Sequence, residues 1–176
     1  GEQLKKIENL FKQRSADLAE GLLEPDAFTS ASETLVENIA QVISGLQARL
    51  ELPEIKANPK ATAAILEQID VAENARITLR ANTDKALDKA DEDRLKKSID
   101  TNRRRIELLK GDEAGNAAEI RRLLEDNLAF ETSLKLRGVK ASGDAAIAER
   151  QLILQEAEKS AAEIAKKYAD PADKLT

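Results

Sequence analysis

Two arginines one helical turn apart are the residues of this chain best suited to bind a ligand. Arg76 and Arg80 lie in an Ala-rich segment, and Thr83 follows on roughly the same side about one turn later. Guanidinium groups placed in this way can hold a carboxylate through paired, charge-assisted hydrogen bonds. The spacing therefore predicts a binding site for a small carboxylate ligand. The alternative is that both arginines form ion pairs with carboxylates on the surface of a highly charged helix.

Asn102 is a further candidate ligand-binding residue. It lies between Ile99 and Ile106, where the apolar repeat would place a hydrophobic side chain. Its amide can hydrogen-bond a solute. A buried Asn also fixes register or oligomeric state in helical assemblies, so the same residue favours self-association.

Other kinds of functional site find no support in the sequence. The chain has no His and no Cys, which excludes disulfides, thiolate chemistry and the zinc or haem sites that depend on these residues. Glycine-rich phosphate loops and nucleophile elbows are also absent from the sequence. We therefore predict no catalytic residues, no metal site, no cofactor and no enzymatic activity. The net charge of −5 argues against a nucleic-acid partner.

Composition and periodicity predict an all-α fold. Only 2% of the 176 residues are aromatic, whereas residues that favour helices, such as Ala, Leu, Glu and Lys, are abundant. Apolar residues recur at helical spacing in five to six segments that short polar stretches separate. This pattern is typical of an elongated up-down antiparallel helical bundle. The predicted helices cover about residues 3–21, 31–51, 59–81, 84–110, 117–137 and 144–170.

Residues of particular types mark the predicted helix ends. Asn58 caps a helix that begins at Pro59, and Gly111 ends the helical pair that follows. Between them, residues 59–110 form either one kinked helix or two helices. The polar joint at residues 81–84 favours a break or a tight turn, because Asn, Thr and Asp cap helices more readily than they continue them. Pro171 is the expected end of the last helix.

We treat residues 1–176 as a single helical-bundle domain. Within it, residues 1–57 form an N-terminal helical pair and residues 58–170 form the main bundle. Residues 25–30 are the expected connector inside the N-terminal pair, with Phe28 packed against the bundle as an anchor.

One pattern extends beyond the two arginines. It reads Ala72-x-x-Ala75-Arg76-x-x-Leu79-Arg80-x-x-Thr83 and continues through Leu95, Ile99 and Ile106-x-x-Leu109. It resembles the four-helix-bundle and helical bimodular ligand-binding domains of methyl-accepting chemotaxis proteins and the related extracellular domains of sensor histidine kinases. The order of elements over residues 59–168 agrees with that resemblance, and the bimodular form has room for residues 3–51.

The resemblance implies a function, a location and a partner. It implies a periplasmic or other extracytoplasmic domain of an inner-membrane receptor that recognises a small solute, with an organic acid favoured, and that signals as a homodimer by helix displacement. Arg76 and Arg80 would match the ligand-gripping arginines of that family. No apolar run in the chain reaches the roughly 20 residues of a membrane span. We therefore expect the chain to be part of a longer protein whose flanking segments supply the membrane helices.

A second function class fits the same pattern of helices. Long amphipathic helices with many charges and few aromatic residues are also typical of structural or protein-interaction modules, such as coiled-coil adaptors and secretion or phage-assembly components. The partners would then be other helical proteins, and the location would be the cytoplasm. Apolar spans flanking the chain would favour the receptor, and a soluble full-length protein would favour the interaction module.

Overall fold

The chain folds as an all-α helical bundle, as its composition predicts. The computed structural model describes residues 1–169, and within that range it contains no β-strand. Six α-helices and one short 3-10 helix make up most of the described chain. The α-helices are α1 (Glu2–Ala19), α2 (Pro25–Leu50), α3 (Pro53–Lys56), α4 (Pro59–Leu109), α5 (Ala117–Arg137) and α6 (Gly143–Lys167), and the 3-10 helix is Lys110–Asp112.

The chain divides into two compact units, Gly1–Ala90 and Asp91–Thr176. The division lies inside α4, so this helix contributes residues to both units. The sequence placed the internal boundary after residue 57 instead, at the loop that precedes α4. The structure differs because the first part of α4 completes the core that α1 and α2 begin.

The first unit has its core where α1, α2 and the first part of α4 meet. Each of the three helices contributes the buried apolar stripe that its periodicity predicts. Phe28 near the start of α2 is fully buried, and its ring centroid lies 5.9 Å from that of Phe11. This burial confirms Phe28 as an anchor and is worth about 1.5–3 kcal/mol. The buried core residues are Leu4, Ile7, Leu35, Ile39, Ile43, Ala72 and Leu79.

A short turn reverses the chain between α1 and α2. Gly21 adopts a φ of 77°, a left-handed conformation that side chains with a Cβ rarely adopt, and Pro25 then takes the first position of α2. The segment 25–30, predicted as a connector, is therefore the beginning of α2. Thr29 does not cap this helix, because its hydroxyl donates to the carbonyl of Pro25 at 2.9 Å.

The second unit packs the last part of α4 against α5 and α6. Its buried apolar core consists of Ile106, Ile120, Leu123 and Tyr168. The Tyr168 hydroxyl donates to the Glu113 carboxylate at 3.1 Å, so the one polar atom of that side chain is satisfied. The bounds of α5 agree with the predicted helix over residues 117–137.

The predicted break at residues 81–84 is wrong, because α4 is a single helix of 51 residues from Pro59 to Leu109. Thr83 is buried, and its hydroxyl donates to the carbonyl of Leu79 one turn earlier at 2.8 Å. This bond satisfies the polar side chain without interrupting the helix. Burial of Thr83 in the first unit therefore outweighs the local tendency of Asn, Thr and Asp to end a helix.

The structure confirms the predicted start of α4. The Oδ1 atom of Asn58 accepts hydrogen bonds from the backbone N–H groups of Lys60 and Ala61, at 3.1 and 3.2 Å. Asn58 therefore caps the helix that begins at Pro59. At the other end of the chain α6 ends at Lys167, and the stop predicted at Pro171 lies outside the described residues.

None of the helices within residues 1–169 is long and apolar enough to cross a membrane.

Candidate functional site

A cleft in the first unit brings Arg76, Arg80 and Thr83 together. It has a volume of about 560 Å³ and lies between α2 and α4. Arg76 and Arg80 are one turn apart on α4, and Thr83 follows them toward the same cleft. Sequence spacing therefore placed these three candidates correctly on one side of the helix. The polar and charged residues that line the cleft are Thr29, Ser32, Glu33, Glu37, Arg76, Arg80, Thr83 and Asp84.

The guanidinium group of Arg76 has a partner at Nη2 and none at Nε. Its Nη2 atom donates to Oε2 of Glu73 at 2.5 Å, in an ion pair between residues three apart on α4. Its Nε atom is buried, and nothing among residues 1–169 accepts a hydrogen bond from it. Nε and Nη2 share the edge of the guanidinium group that binds a carboxylate with two parallel hydrogen bonds. Glu73 uses one of these two donors, and the other remains open.

Arg80 is exposed at the cleft. Its side chain makes no hydrogen bond or ion pair with any other residue of the described range. The surface ion-pair alternative therefore applies to Arg76, which has Glu73, and not to Arg80. A free guanidinium group beside a half-engaged one leaves the cleft with donors for an incoming oxyanion.

Ser32 lines the same cleft and was missed by the sequence reasoning. It is 2% exposed, and its hydroxyl has no hydrogen-bond partner in the part of the chain that the structure describes. The signal was available, because Ser32 lies between Phe28 and Leu35 on the buried stripe of α2. A polar side chain on a core stripe calls for a hydrogen-bond partner. The sequence alone does not show that Arg76 lies across from this stripe.

The other hydroxyl groups of the cleft already have partners. Those of Thr29 and Thr83 each donate to the carbonyl four residues earlier, at 2.9 and 2.8 Å. This is the usual way for a helical Thr or Ser to satisfy its hydroxyl group. Ser32 has the same option and does not use it, so its hydroxyl group remains available to the cleft.

The charges around the cleft are mixed. Glu33, Glu37 and Asp84 contribute three carboxylates against the guanidinium groups of Arg76 and Arg80. Since Glu73 also occupies Arg76, the cleft is not a simple basic pocket. It can hold one anionic group at the arginines, while further negative charge on a ligand would meet the carboxylates at short range.

Asn102 forms a hydrogen bond with another asparagine of the same chain. The structure places it in the second unit, where its Nδ2 atom donates to Oδ1 of Asn127 on α5 at 2.9 Å. Asn127 is buried and donates in turn to the carbonyl of Ile99 at 3.2 Å. The amide of Asn102 therefore satisfies a buried partner in the same chain. It is not among the residues that line the cleft beside Arg76.

Two dense charge runs, residues 91–94 and 103–105, lie at the surface. Arg94 pairs with Asp91, and Arg103 pairs with Glu131 of α5 at 2.9 Å, while all these side chains remain in contact with solvent. Within residues 1–169 no group of three or more carboxylates is arranged to hold a metal ion.

Comparison of the chain with protein-family models, with curated proteins and with solved structures finds no significant match.

Proposed function

We propose that this chain is the ligand-binding domain of a bacterial transmembrane chemoreceptor or sensor kinase, and that it recognises a small organic acid. The observation that carries the proposal is the cleft between α2 and α4. There the half-engaged Arg76, the free Arg80 and the unpaired hydroxyl of Ser32 line one volume of about 560 Å³. A volume in this range suits a small solute.

Unsatisfied donors support binding more strongly than the arginine spacing alone. A buried polar atom without a hydrogen-bond partner costs about 1–3 kcal/mol. Ser32 Oγ and Arg76 Nε both carry such a cost, and both belong to the residues of this cleft. A ligand oxygen that accepts hydrogen bonds from these two atoms removes this cost on binding. The two unpaired atoms therefore favour a ligand-binding role for the cleft.

Signalling requires a ligand that favours one arrangement of the helices over another. In this proposal the ligand bridges α2 and α4, because Ser32 belongs to one helix and the arginines to the other. Binding then favours arrangements in which the two helices hold these side chains close together. A small shift of α4 against α2 is the expected output, and the domain would lie outside the cytoplasm.

The test is a thermal-shift screen of the whole chain with a panel of small carboxylates, followed by titration calorimetry of any ligand that raises the melting temperature. Arg76→Ala and Arg80→Ala should each reduce the shift. Arg104→Ala serves as the matched control, because Arg104 is an exposed arginine of α4 outside the cleft. A panel that produces no shift, or a shift that survives both cleft substitutions, would contradict the proposal.

A specific feature of α6 favours the second function class, a helical interaction module. Ile147, Leu154 and Ala161 recur at intervals of seven residues and are exposed, with 53% and 49% of the surface of Ile147 and Leu154 open to solvent. Heptad spacing places them on one face of the helix, as in helices that pack against a partner helix. In this second proposal the partner is another helical protein or a second copy of the chain.

Light scattering coupled to size-exclusion chromatography tests the second proposal. Leu154→Glu should lower the concentration-dependent mass of the chain, whereas Leu22→Glu should not. Leu22 is the control because it is 74% exposed and lies in the turn after α1, away from any helix face. A chain that stays monomeric at every concentration and retains no helical protein partner would exclude this function.

A further inference from the structure

Ser32 has a buried hydroxyl group that lacks a hydrogen-bond partner. Thr29, Thr34, Thr83 and Thr132 all donate to the carbonyl four residues earlier. The hydroxyl of Ser32 makes no such bond, although Ser32 is only 2% exposed. Ser15 of α1 also has an unpaired buried hydroxyl, but Ser15 does not line the cleft beside the arginines. The unpaired hydroxyl of Ser32 costs stability and makes no hydrogen bond within the described chain.

Arg76 supplies a matching open donor. Its Nε–H group is buried and unpaired, and it lines the same cleft as Ser32. The two groups belong to different helices. The two donors belong to residues that line one cleft, and a carboxylate has two oxygens that only accept hydrogen bonds, so it can take one bond from each donor.

The charges of the cleft limit what else the ligand carries. Glu33, Glu37 and Asp84 contribute three carboxylates to the lining of the cleft. Of its two arginines, Arg80 has a side chain without a partner among residues 1–169. If a first carboxylate binds at Arg76 and Ser32, a second carboxylate on the same small molecule would be repelled by these like charges, with one exposed guanidinium group to offset them.

We propose that Ser32 is a ligand-binding residue and that, together with Arg76 Nε–H, it receives the carboxylate of a small ligand bearing a single negative charge. This inference rests on the proposed function, since it concerns the same cleft. It narrows the ligand class from organic acids in general to monocarboxylates, whose remaining part is neutral or positively charged.

The first experiment compares ligands of matched length on the whole chain at constant pH and ionic strength. Propanoate and butanoate are titrated by calorimetry against malonate and succinate, which have the same chain lengths, and 3-hydroxybutanoate is titrated against malate. At least one monocarboxylate should bind about tenfold more tightly than its dicarboxylate counterpart. Dicarboxylates that bind as tightly as the monocarboxylates would overturn the assignment of the ligand class.

The second experiment separates a ligand contact from a structural role of Ser32. Ser32→Ala should weaken binding of the best monocarboxylate by about tenfold, the effect of losing one charge-assisted hydrogen bond. The melting temperature of the ligand-free variant should stay equal or rise, because an unpaired buried hydroxyl is removed. Ser30→Ala, an exposed serine of the same helix, should change neither quantity.

A third variant tests the Nε donor directly. Arg76→Lys keeps the charge but loses the two-donor edge, so it should weaken monocarboxylate binding as Ser32→Ala does. If Ser32→Ala binds as tightly as Ser30→Ala, or if it only lowers the melting temperature, Ser32 is not a ligand contact. If no carboxylate binds the unaltered chain, the proposed function itself fails. If Ser32→Ala and Ser30→Ala bind a carboxylate equally tightly, and if monocarboxylates and dicarboxylates bind equally tightly, only the present inference is overturned.

Discussion

Asn102 of α4 and Asn127 of α5 form a hydrogen bond of 2.9 Å inside the second unit. Asn127 is buried and also donates to the carbonyl of Ile99, so the pair connects two helices through a small polar network. The polar interruption of the apolar repeat at Asn102 thus has a partner within the chain. Such a pair fixes the register of two helices, because sliding either helix by one turn would leave both amides unpaired.

The first prediction follows from this pair. Asn127→Ala should lower the free energy of unfolding by about 1–3 kcal/mol, because it leaves the amide of Asn102 without its partner. Asn102→Ala should cost less, since Asn102 is only half-buried. Urea denaturation followed by circular dichroism measures both values.

The double variant provides the control for this prediction. Replacing both asparagines by alanine removes both members of the pair and leaves neither amide unpaired, so its cost should be smaller than the sum of the two single alanine variants. Strictly additive losses would show that the two amides do not depend on each other.

The second prediction concerns the continuity of α4. Thr83→Pro should reduce helical circular dichroism and cost about 3 kcal/mol, because proline inside a helix removes a backbone hydrogen bond and clashes with the preceding turn. Thr83→Ala removes the hydroxyl bond to Leu79 and leaves the helix intact, so it should cost no more than about 1.5 kcal/mol. A break at residues 81–84 would instead tolerate proline there with little loss of helicity.

The third prediction concerns Glu73, which competes with any anionic ligand for the guanidinium group of Arg76. Glu73 holds Nη2 of Arg76 at 2.5 Å, on the same guanidinium edge as the open Nε–H. A ligand carboxylate that takes this edge with two hydrogen bonds must displace Glu73. Glu73→Gln should therefore tighten carboxylate binding, by about three- to tenfold in the dissociation constant, because the competing charge is removed.

Asp70→Asn is the matched control for Glu73. Asp70 lies one turn earlier on α4, is exposed and does not line the cleft, so its substitution changes the net charge equally without freeing Arg76. Titration calorimetry of both variants with the same monocarboxylate distinguishes local competition from a general effect of charge. Equal tightening by both substitutions would show that Glu73 exerts no specific competition.

Much of the fold could be predicted from local pattern. The apolar stripes of α1 and α2 identify Leu4, Ile7, Leu35 and Ile39 as core, because a helix that buries one face must repeat apolar residues at its own period. Asn58 and Pro59 mark the start of α4 for an equally local reason, since a cap is made by atoms a few residues away.

Position in the fold decided features that local pattern does not reveal. Residues 81–84 favour a helix end when considered alone, but Thr83 is buried in the first unit and stays helical. The partner of the Asn102 amide is Asn127, which is 25 residues further along the chain. Tertiary contacts of this kind leave no regular spacing in the sequence.

The sequence by itself determined that this chain is all-α, where most of its helices lie, and that Arg76, Arg80 and Thr83 share one side of a helix. Those properties follow from the 3.6-residue period and from capping, which act over a few residues. Only the tertiary structure decided that α2 faces the arginines and that Ser32 contributes an unpaired hydroxyl group to their cleft. The physical reason is that the packing of one helix against another depends on the whole set of buried side chains, and the facing partner of a residue is not encoded in its neighbours.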